Sequence, residues 1–324
     1  MTSRERFNAV MNFKKPEGRL PMVEWAAWWN MTTDGWKKSG MPDLGFSESL
    51  QYFDLDELRA VHVHTRWKDL PCMIETEDDY EQCRGCLLQD DAIELMKTHL
   101  NEIKPLHDRG EIILRIWIDG YFWFPRTLLG IEPHMYAFYD KPELMHRLNG
   151  DLADFNEKAM NECMKILKPD FVGYAEDMSY NHGPMLSKKL FDEFLLPYYK
   201  RVNPIITAAG VPVMVDTDGD VTEMIPWLAE AGIDGVYPLE RQAGVDINLI
   251  RKLYPNFLML GGFDKMVMAN GEDAIRGEFE RILPVMKSGG YIPSVDHQTP
   301  PHVTLDDYKL YAKLFHEYAV LAAK

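Results

Sequence analysis

From Ile112 onward the chain repeats one pattern six times: a short apolar run, one or two polar residues, then a stretch of helical length. The apolar runs are Ile112–Ile118, Phe171–Ala175, Val211–Val215, Gly235–Leu239, Phe257–Leu260 and Tyr291–Val295. Near-continuous apolar runs of this length read as strands buried on both faces. Their alternation with helices predicts a parallel sheet with helices outside it. Right-handed crossovers then place every strand C-terminus on one rim. That rim collects Asp119, Glu176, Asp177, Asp216, Asp218, Glu240, Asp264, Asp296 and His297. Polar residues after nearly every strand, rather than at one switch point, predict a (β/α)8 TIM barrel with its chemistry at the C-terminal face.

The chain before Ile112 is less regular. Leu20–Ala26 reads as the first buried strand, and Trp25, Trp28, Trp29 and Trp36 follow it closely. Residues 37–110 read as an excursion at the barrel mouth, within a single domain spanning 1–324. Val61–Thr65 alternates as a short strand carrying His62 and His64, which read as surface residues. Glu75–Leu88 reads as a β-hairpin arm. It holds a lone C-x-x-C, Cys83 and Cys86, with Cys72 the nearest third cysteine. A lone pair of this kind is weak as a zinc or redox motif. Thr2 with Glu5, and Thr304 with Asp307, have the spacing of helix N-caps.

Charge narrows the function. The chain has 35 basic and 51 acidic residues, a formal net charge of −16. A polyanion such as nucleic acid is a poor partner for such a surface. No stretch of about 18 apolar residues suggests a membrane span, and the N-terminus lacks a signal-peptide core. A soluble cytoplasmic protein with a small-molecule substrate and no nucleotide cofactor is expected.

The richest stretch is Val211–Asp220, VPVMVDTDGD, where a buried strand runs into Asp216, Asp218, Gly219 and Asp220. Its acids either build a site or cap the following helix. Glu176, Asp177, Asp216, Asp218 and His297 are the candidate catalytic residues. Glu24, Trp25, Trp28, Asp119, Tyr121, Phe122, Tyr180, Glu240 and Asp264 are the candidate substrate-binding residues. Glu24 lies within an apolar run, where a carboxylate is costly unless paired or bound. Carboxylates gathered on one rim should raise one another's pKa or hold a cation. Lys265 is the clearest cation nearby.

Several stretches resemble the uroporphyrinogen decarboxylase superfamily: Arg4–Met11 with Arg19-Leu20-Pro21, Asp170–Asp177 with Gly183–Ser187, Pro197–Lys200, Val211–Asp220, Gly232–Glu240, Leu260–Asp264 and Asp296–Val303. The resemblance implies one barrel that serves two chemistries. One branch decarboxylates uroporphyrinogen; the other moves methyl groups between corrinoid proteins and thiols, using zinc. The Arg-rich signature of the decarboxylases is replaced here by Glu24–Asn30, EWAAWWN, which has no Arg. The His-x-Cys of the zinc methyltransferases is replaced by Asp216-Thr217-Asp218, and their later Cys by Ser294–His297. An oxygen-rich zinc set of Asp216, His297 and Glu176 or Glu24 is one expectation. The leading expectation is methyl transfer from a small methylated donor to a corrinoid carried by a partner protein, with aromatic residues contacting a methylammonium if the donor is cationic. Decarboxylation of a tetrapyrrole carboxylate, and a non-catalytic barrel binding a corrinoid or partner, are the alternatives. A homodimer is compatible with all three.

Overall fold

A computed structural model describes residues 1–63, 65, 70 and 73–324. Seven parallel strands form one sheet: β1 (Glu57–Val63), β2 (Ile112–Asp119), β3 (Phe171–Ala175), β6 (Val213–Thr217), β7 (Gly235–Pro238), β8 (Leu258–Phe263) and β9 (Tyr291–Val295). They lie in the order β1-β2-β3-β6-β7-β8-β9. A small antiparallel pair, β4 (Ser179–Tyr180) and β5 (Gly183–Pro184), sits in the loop after β3. The main sheet is strongly curled. Arg115 of β2 reaches Tyr237 of β7, three strands away, with its guanidinium 5.3 Å from the ring centre.

The six strands expected from Ile112 onward are all present. The N-terminal expectations need correction. Leu20–Ala26 is buried over residues 20–25 but forms no ladder. Pro21 has no N–H to donate, and the chain bends at Trp25 and Ala26. The segment instead spans the gap between the sheet edges. Asp56 donates its N–H to Met22 O beside β1, while Gln298, after β9, donates Nε2–H to Ala27 O. The described residues thus form a seven-stranded curled sheet rather than a complete eight-stranded barrel.

Residues 37–110 are not a mere excursion. They supply β1, which pairs with β2 from Glu57↔Ile112 to Val63↔Ile118, and the helix Asp90–Asp108. The expected hairpin arm is the helix Glu77–Leu87, capped by Thr76. Acids in its first turn, Glu77, Asp78 and Asp79, suit the positive end of the helix dipole. Cys83 and Cys86 lie on this helix, and the Cys83 thiol donates to Asp79 O. His64 and Cys72 lie outside the described residues. The Thr2 and Thr304 caps are both formed.

The helix Ser3–Met11 closes the N-terminal end of the sheet. Arg4 and Asn8 donate to Asp170, which also accepts from His107 and from Leu114 N–H. A buried carboxylate so fully bonded is stable in place. Phe7 stacks on Phe171 at 5.9 Å and seals the interior from below. Among the described residues no helix is long and apolar enough to cross a membrane.

Candidate active site

Short strand-to-helix loops bring the acids to one end of the curled sheet. Gly219 has φ +81°, and a Cβ there would stand 2.5 Å from the Tyr180 backbone. Only glycine lets the loop after β6 pack this closely on the β4–β5 pair. Asp220 N–H donates to Tyr180 O across the same contact.

Beneath these loops is a cavity of about 510 Å³, a volume typical of small-molecule sites. The pleat determines which side chains enter it. Leu58, Ala60 and His62 of β1, Arg115 and Trp117 of β2, Ala175 of β3 and Asp216 of β6 all line it. Trp25, Ala26, Ala27, Phe46, Trp123, Glu176, Asp177, Asp218, His297 and Gln298 complete the wall. A second hollow of about 520 Å³ lies at the opposite end, around Arg4, Asn8, Asp170 and Asp234. That end carries the bonds that tie down the N-terminal helix.

Within the upper cavity the carboxyls perturb one another. Burial raises Asp216 well above the usual range, with Asp177 and Asp218 adding to the rise and Arg115 opposing it. Burial also raises Asp218, to about 7, helped by Asp177 and Glu240. Asp177 is raised by burial against the pull of Arg126. Burial lowers His297, which favours its neutral, metal-binding form.

One set of groups has the spacing of a metal centre. A ligand atom from each of Asp218, Glu240 and His297 lies within 4.8 Å of the others. His297 Nε2 stands 3.7 Å from Asp218 Oδ2. Two oxygens and an imidazole nitrogen suit a divalent cation such as zinc, at about 2.0–2.2 Å from each. The three would need to draw in slightly. This set differs from the expected Asp216, His297 and Glu176, of which it keeps only His297.

Glu176 lines the cavity, and what keeps it out of the metal-spaced set is its bonding. Its Oε1 accepts from Tyr121 N–H at 2.7 Å and from the Tyr199 hydroxyl. Its Oε2 accepts from Phe122 N–H at 2.7 Å and Trp123 N–H at 3.1 Å. Burial pushes this carboxyl up to about 7, against four donors that favour its charge. A carboxylate with four donors holds a loop; it has no free lone pair for a metal or a substrate proton.

Several expected substrate contacts lie away from the cavity. Tyr121 and Phe122 are in the core and serve Glu176 through their backbone. Glu24 is buried, accepts from the Tyr308 hydroxyl, and is raised by burial to about 8. Trp28 packs in an aromatic cluster with Trp36, Phe53 and Tyr308. Asp119 accepts from the Thr65 hydroxyl. Tyr180 is 49% exposed, on the outer side of its hairpin. Asp264 caps the turn at Met266 and accepts from Gln242. Lys265 is bound to Asp296 at 3.2 Å. Trp25, Glu176, Asp177, Asp216, Asp218 and His297 do share the cavity, with Glu240 beside Asp218 and His297 in the metal-spaced set.

Among the lining residues that were not candidates, two carry ionisable side chains, His62 and Arg115. His62, read as a surface residue, has its ring 4.6 Å from Trp117 inside the cavity. Arg115 is only 2% exposed. The signal for it was a single arginine within the apolar run IILRIWI.

Comparison with known proteins agrees with the fold. The family described as Uroporphyrinogen decarboxylase (URO-D) matches residues 126–318, more than half of the chain. A uroporphyrinogen decarboxylase of Myxococcus xanthus (strain DK1622) is 26% identical over 187 residues. That match covers 56% of this chain and 50% of that protein, so it spans only half the relative's length. A solved methyltransferase from Methanosarcina mazei superposes with a TM-score of 0.67 at 14% identity, over 98% of this chain and 99% of that one. At such identity the likeness is one of fold.

Proposed function

This chain belongs to the uroporphyrinogen decarboxylase family, whose members are enzymes, and from that premise we propose that its own reaction is corrinoid-linked methyl transfer from a small methylated donor. The observation that carries the reading is the size and charge of the upper cavity. At about 510 Å³ it suits a compact molecule. Uroporphyrinogen, a tetrapyrrole with eight carboxylates, is larger than this cavity, and its charges would meet Asp177, Asp216 and Asp218 with Arg115 as the one arginine among the described lining residues. One unmatched like-charge pair at about 4 Å costs on the order of 4 kcal/mol at an effective dielectric of about 20. A small donor meets no such barrier.

In this reading the segment 20–27 stands where an eighth barrel strand would, and Trp25 closes the cavity from that side. The donor's apolar body lies among Trp25, Trp117 and Trp123. Asp216 faces the reacting end, within reach of an oxygen that must gain a proton when its methyl group leaves. Asp218, Glu240 and His297 would hold a divalent cation, and zinc bound there would polarise the donor's oxygen. The methyl acceptor is a corrinoid carried by a partner protein in the cytoplasm.

The test offers the purified protein uroporphyrinogen anaerobically and, separately, a panel of methylated ethers and amines with a reduced corrinoid protein. Methylcorrinoid should form, read by its absorption spectrum, with at least one donor. Carbon dioxide released from the tetrapyrrole, with no methylcorrinoid from any donor, would reverse the assignment.

A further inference from the structure

The floor of the cavity carries a charge opposite to its rim. Arg115 projects into the interior from β2 and lines the cavity, yet it is 2% exposed. Its Nε and Nη1 are buried without a hydrogen-bond partner. It makes no ion pair within 4.0 Å among the described residues; Asp216 is the carboxyl that feels its charge. Its guanidinium lies 4.4 Å from the Trp117 ring centre and 5.3 Å from that of Tyr237.

The surroundings keep this cation in place and leave it one open direction. Below it Phe171 meets Tyr237 edge-on at 6.0 Å and stacks on Phe7, so no water reaches it from that end. Beside it Gly173 has no side chain: a Cβ there would stand 2.3 Å from Tyr237 Oη and 3.5 Å from Arg115 Cδ. The strand register measures the depth. Arg115 pairs with Phe171, whereas Asp216 pairs with Ala175, four residues further along β3. At about 3.3 Å per residue the two backbones differ in level by about 13 Å, and the long Arg side chain spans part of that. Burying an unpaired guanidinium is costly unless something supplies the opposite charge and the missing acceptors.

We propose that Arg115 is the anchor for a substrate carboxylate, so that the molecule taken by this cavity is a small, flat monoanion, its charged end on Arg115 and its reacting end at Asp216, Asp218 and His297. The planar fork of arginine matches a carboxylate through two parallel hydrogen bonds. The Trp25, Trp117, Trp123 and Phe46 rings suit a flat apolar body between the two ends. This proposal rests on the upper cavity being the active site, and it names the donor's charge: a cationic donor would meet Arg115 at the floor. The aromatic contacts imagined for a methylammonium also shrink, because Trp28 and Phe122 do not reach the cavity.

The experiment is calorimetric titration of the full chain with three ligands of one shape and three charges: benzoate, benzamide and benzyltrimethylammonium. Inorganic phosphate serves as an anion without a flat body. Benzoate should bind best of the four. In Arg115→Met its affinity should fall on the order of 10- to 100-fold, the range for a charge-assisted hydrogen bond to a buried group, while benzamide changes little. Arg115→Lys should lie between, since it keeps the charge and loses the fork. Ligand-free Arg115→Met should melt at or above the wild-type temperature, because an apolar side chain replaces a buried unpaired charge.

The proposal falls if benzoate does not bind at millimolar concentration, if phosphate or the ammonium binds more tightly, or if Arg115→Met leaves benzoate binding within twofold. It also falls if Arg115→Met melts well below wild type and Asp216→Asn restores it, since Arg115 is then only the counter-charge of Asp216. None of these measurements needs a corrinoid protein. Arg115-dependent benzoate binding with no methylcorrinoid from any donor would remove the methyl-transfer reading and leave the anchor. Methyl transfer from neutral donors, with benzoate binding indifferent to Arg115, would do the reverse.

Discussion

Replacing Glu176 by Gln separates a structural carboxylate from a catalytic one. The native side chain accepts three backbone N–H groups, of Tyr121, Phe122 and Trp123, and the Tyr199 hydroxyl. Gln has one acceptor oxygen, so it can serve the donors on one side only. Its oxygen then serves the Phe122 and Trp123 N–H groups, its NH2 donates to the Tyr199 hydroxyl, which can turn to accept, and the Tyr121 N–H is left unsatisfied. A buried donor left unsatisfied costs about 1–3 kcal/mol. That is a sizeable part of the roughly 5–15 kcal/mol by which a domain is stable. At about 2 °C per kcal/mol, the lower end of the range for long chains, Tm falls by about 2–6 °C. Thermal melting followed by circular dichroism measures this, with benzoate affinity at low temperature as the readout of the site. The variant should melt early yet bind its ligand within a few-fold of wild type, because Glu176, although it lines the cavity, has both oxygens taken by the loop and Tyr199. A variant that melts within about 1 °C of wild type but has lost activity would refute the reasoning and return Glu176 to the catalytic set.

Three further outcomes are expected. Glu24 titrates at about 8 when folded, against 4.5 as the ordinary value, so its contribution to stability is full below 4.5 and lost as pH rises through 8. Glu24→Gln keeps an acceptor for Tyr308 and cannot ionise; urea unfolding should therefore show wild type losing a few kcal/mol more than the variant across that interval, at about 1.4 kcal/mol per unit, and equal losses would contradict the burial of that carboxyl. Gly173→Ala should lower stability by about 1–3 kcal/mol through overpacking against Tyr237 and weaken benzoate binding with it; unchanged melting and binding would contradict the close approach. Elemental analysis of protein purified without chelator should find a divalent metal that His297→Ala and Glu240→Gln remove, whereas a content near zero, unmoved by added zinc, would leave those residues without that role.

Much of the fold was legible in the chain. The runs from Ile112 to Val295 are apolar on both faces, and a strand buried on both sides has no other way to appear in sequence. Their C-terminal acids therefore belong to one rim on the pattern of the sequence alone. The strand β1 was harder to see: Glu57–Val63, ELRAVHV, carries Glu, Arg and His in seven residues. Its polar members are accommodated by an edge position and by a cavity, neither of which is a property of the segment alone. Leu20–Ala26 failed in the opposite sense. It is apolar and buried like a strand, but burial does not supply a hydrogen-bonded neighbour.

The same division runs through the site. Sequence alone determined which residues stand at the strand ends, because a short loop leaves a residue next to its strand little freedom of place. Only the tertiary structure decided what each of them faces. Glu176 and Asp177 are neighbours in the chain and both line the cavity, yet the carboxylate of one is taken up by four donors while the other is raised by burial against the pull of Arg126. Asp216 and Asp218 share a face by the two-residue period, but Glu240 joins Asp218 and His297 only because three loops meet there. Arg115 is the furthest case. Within β2 it is one polar residue in an apolar strand; its role at the floor of a cavity follows from Gly173, Tyr237 and Phe171, brought beside it from strands that lie far along the chain. Local chemistry sets what a side chain can do, and the curl of the sheet sets what it meets.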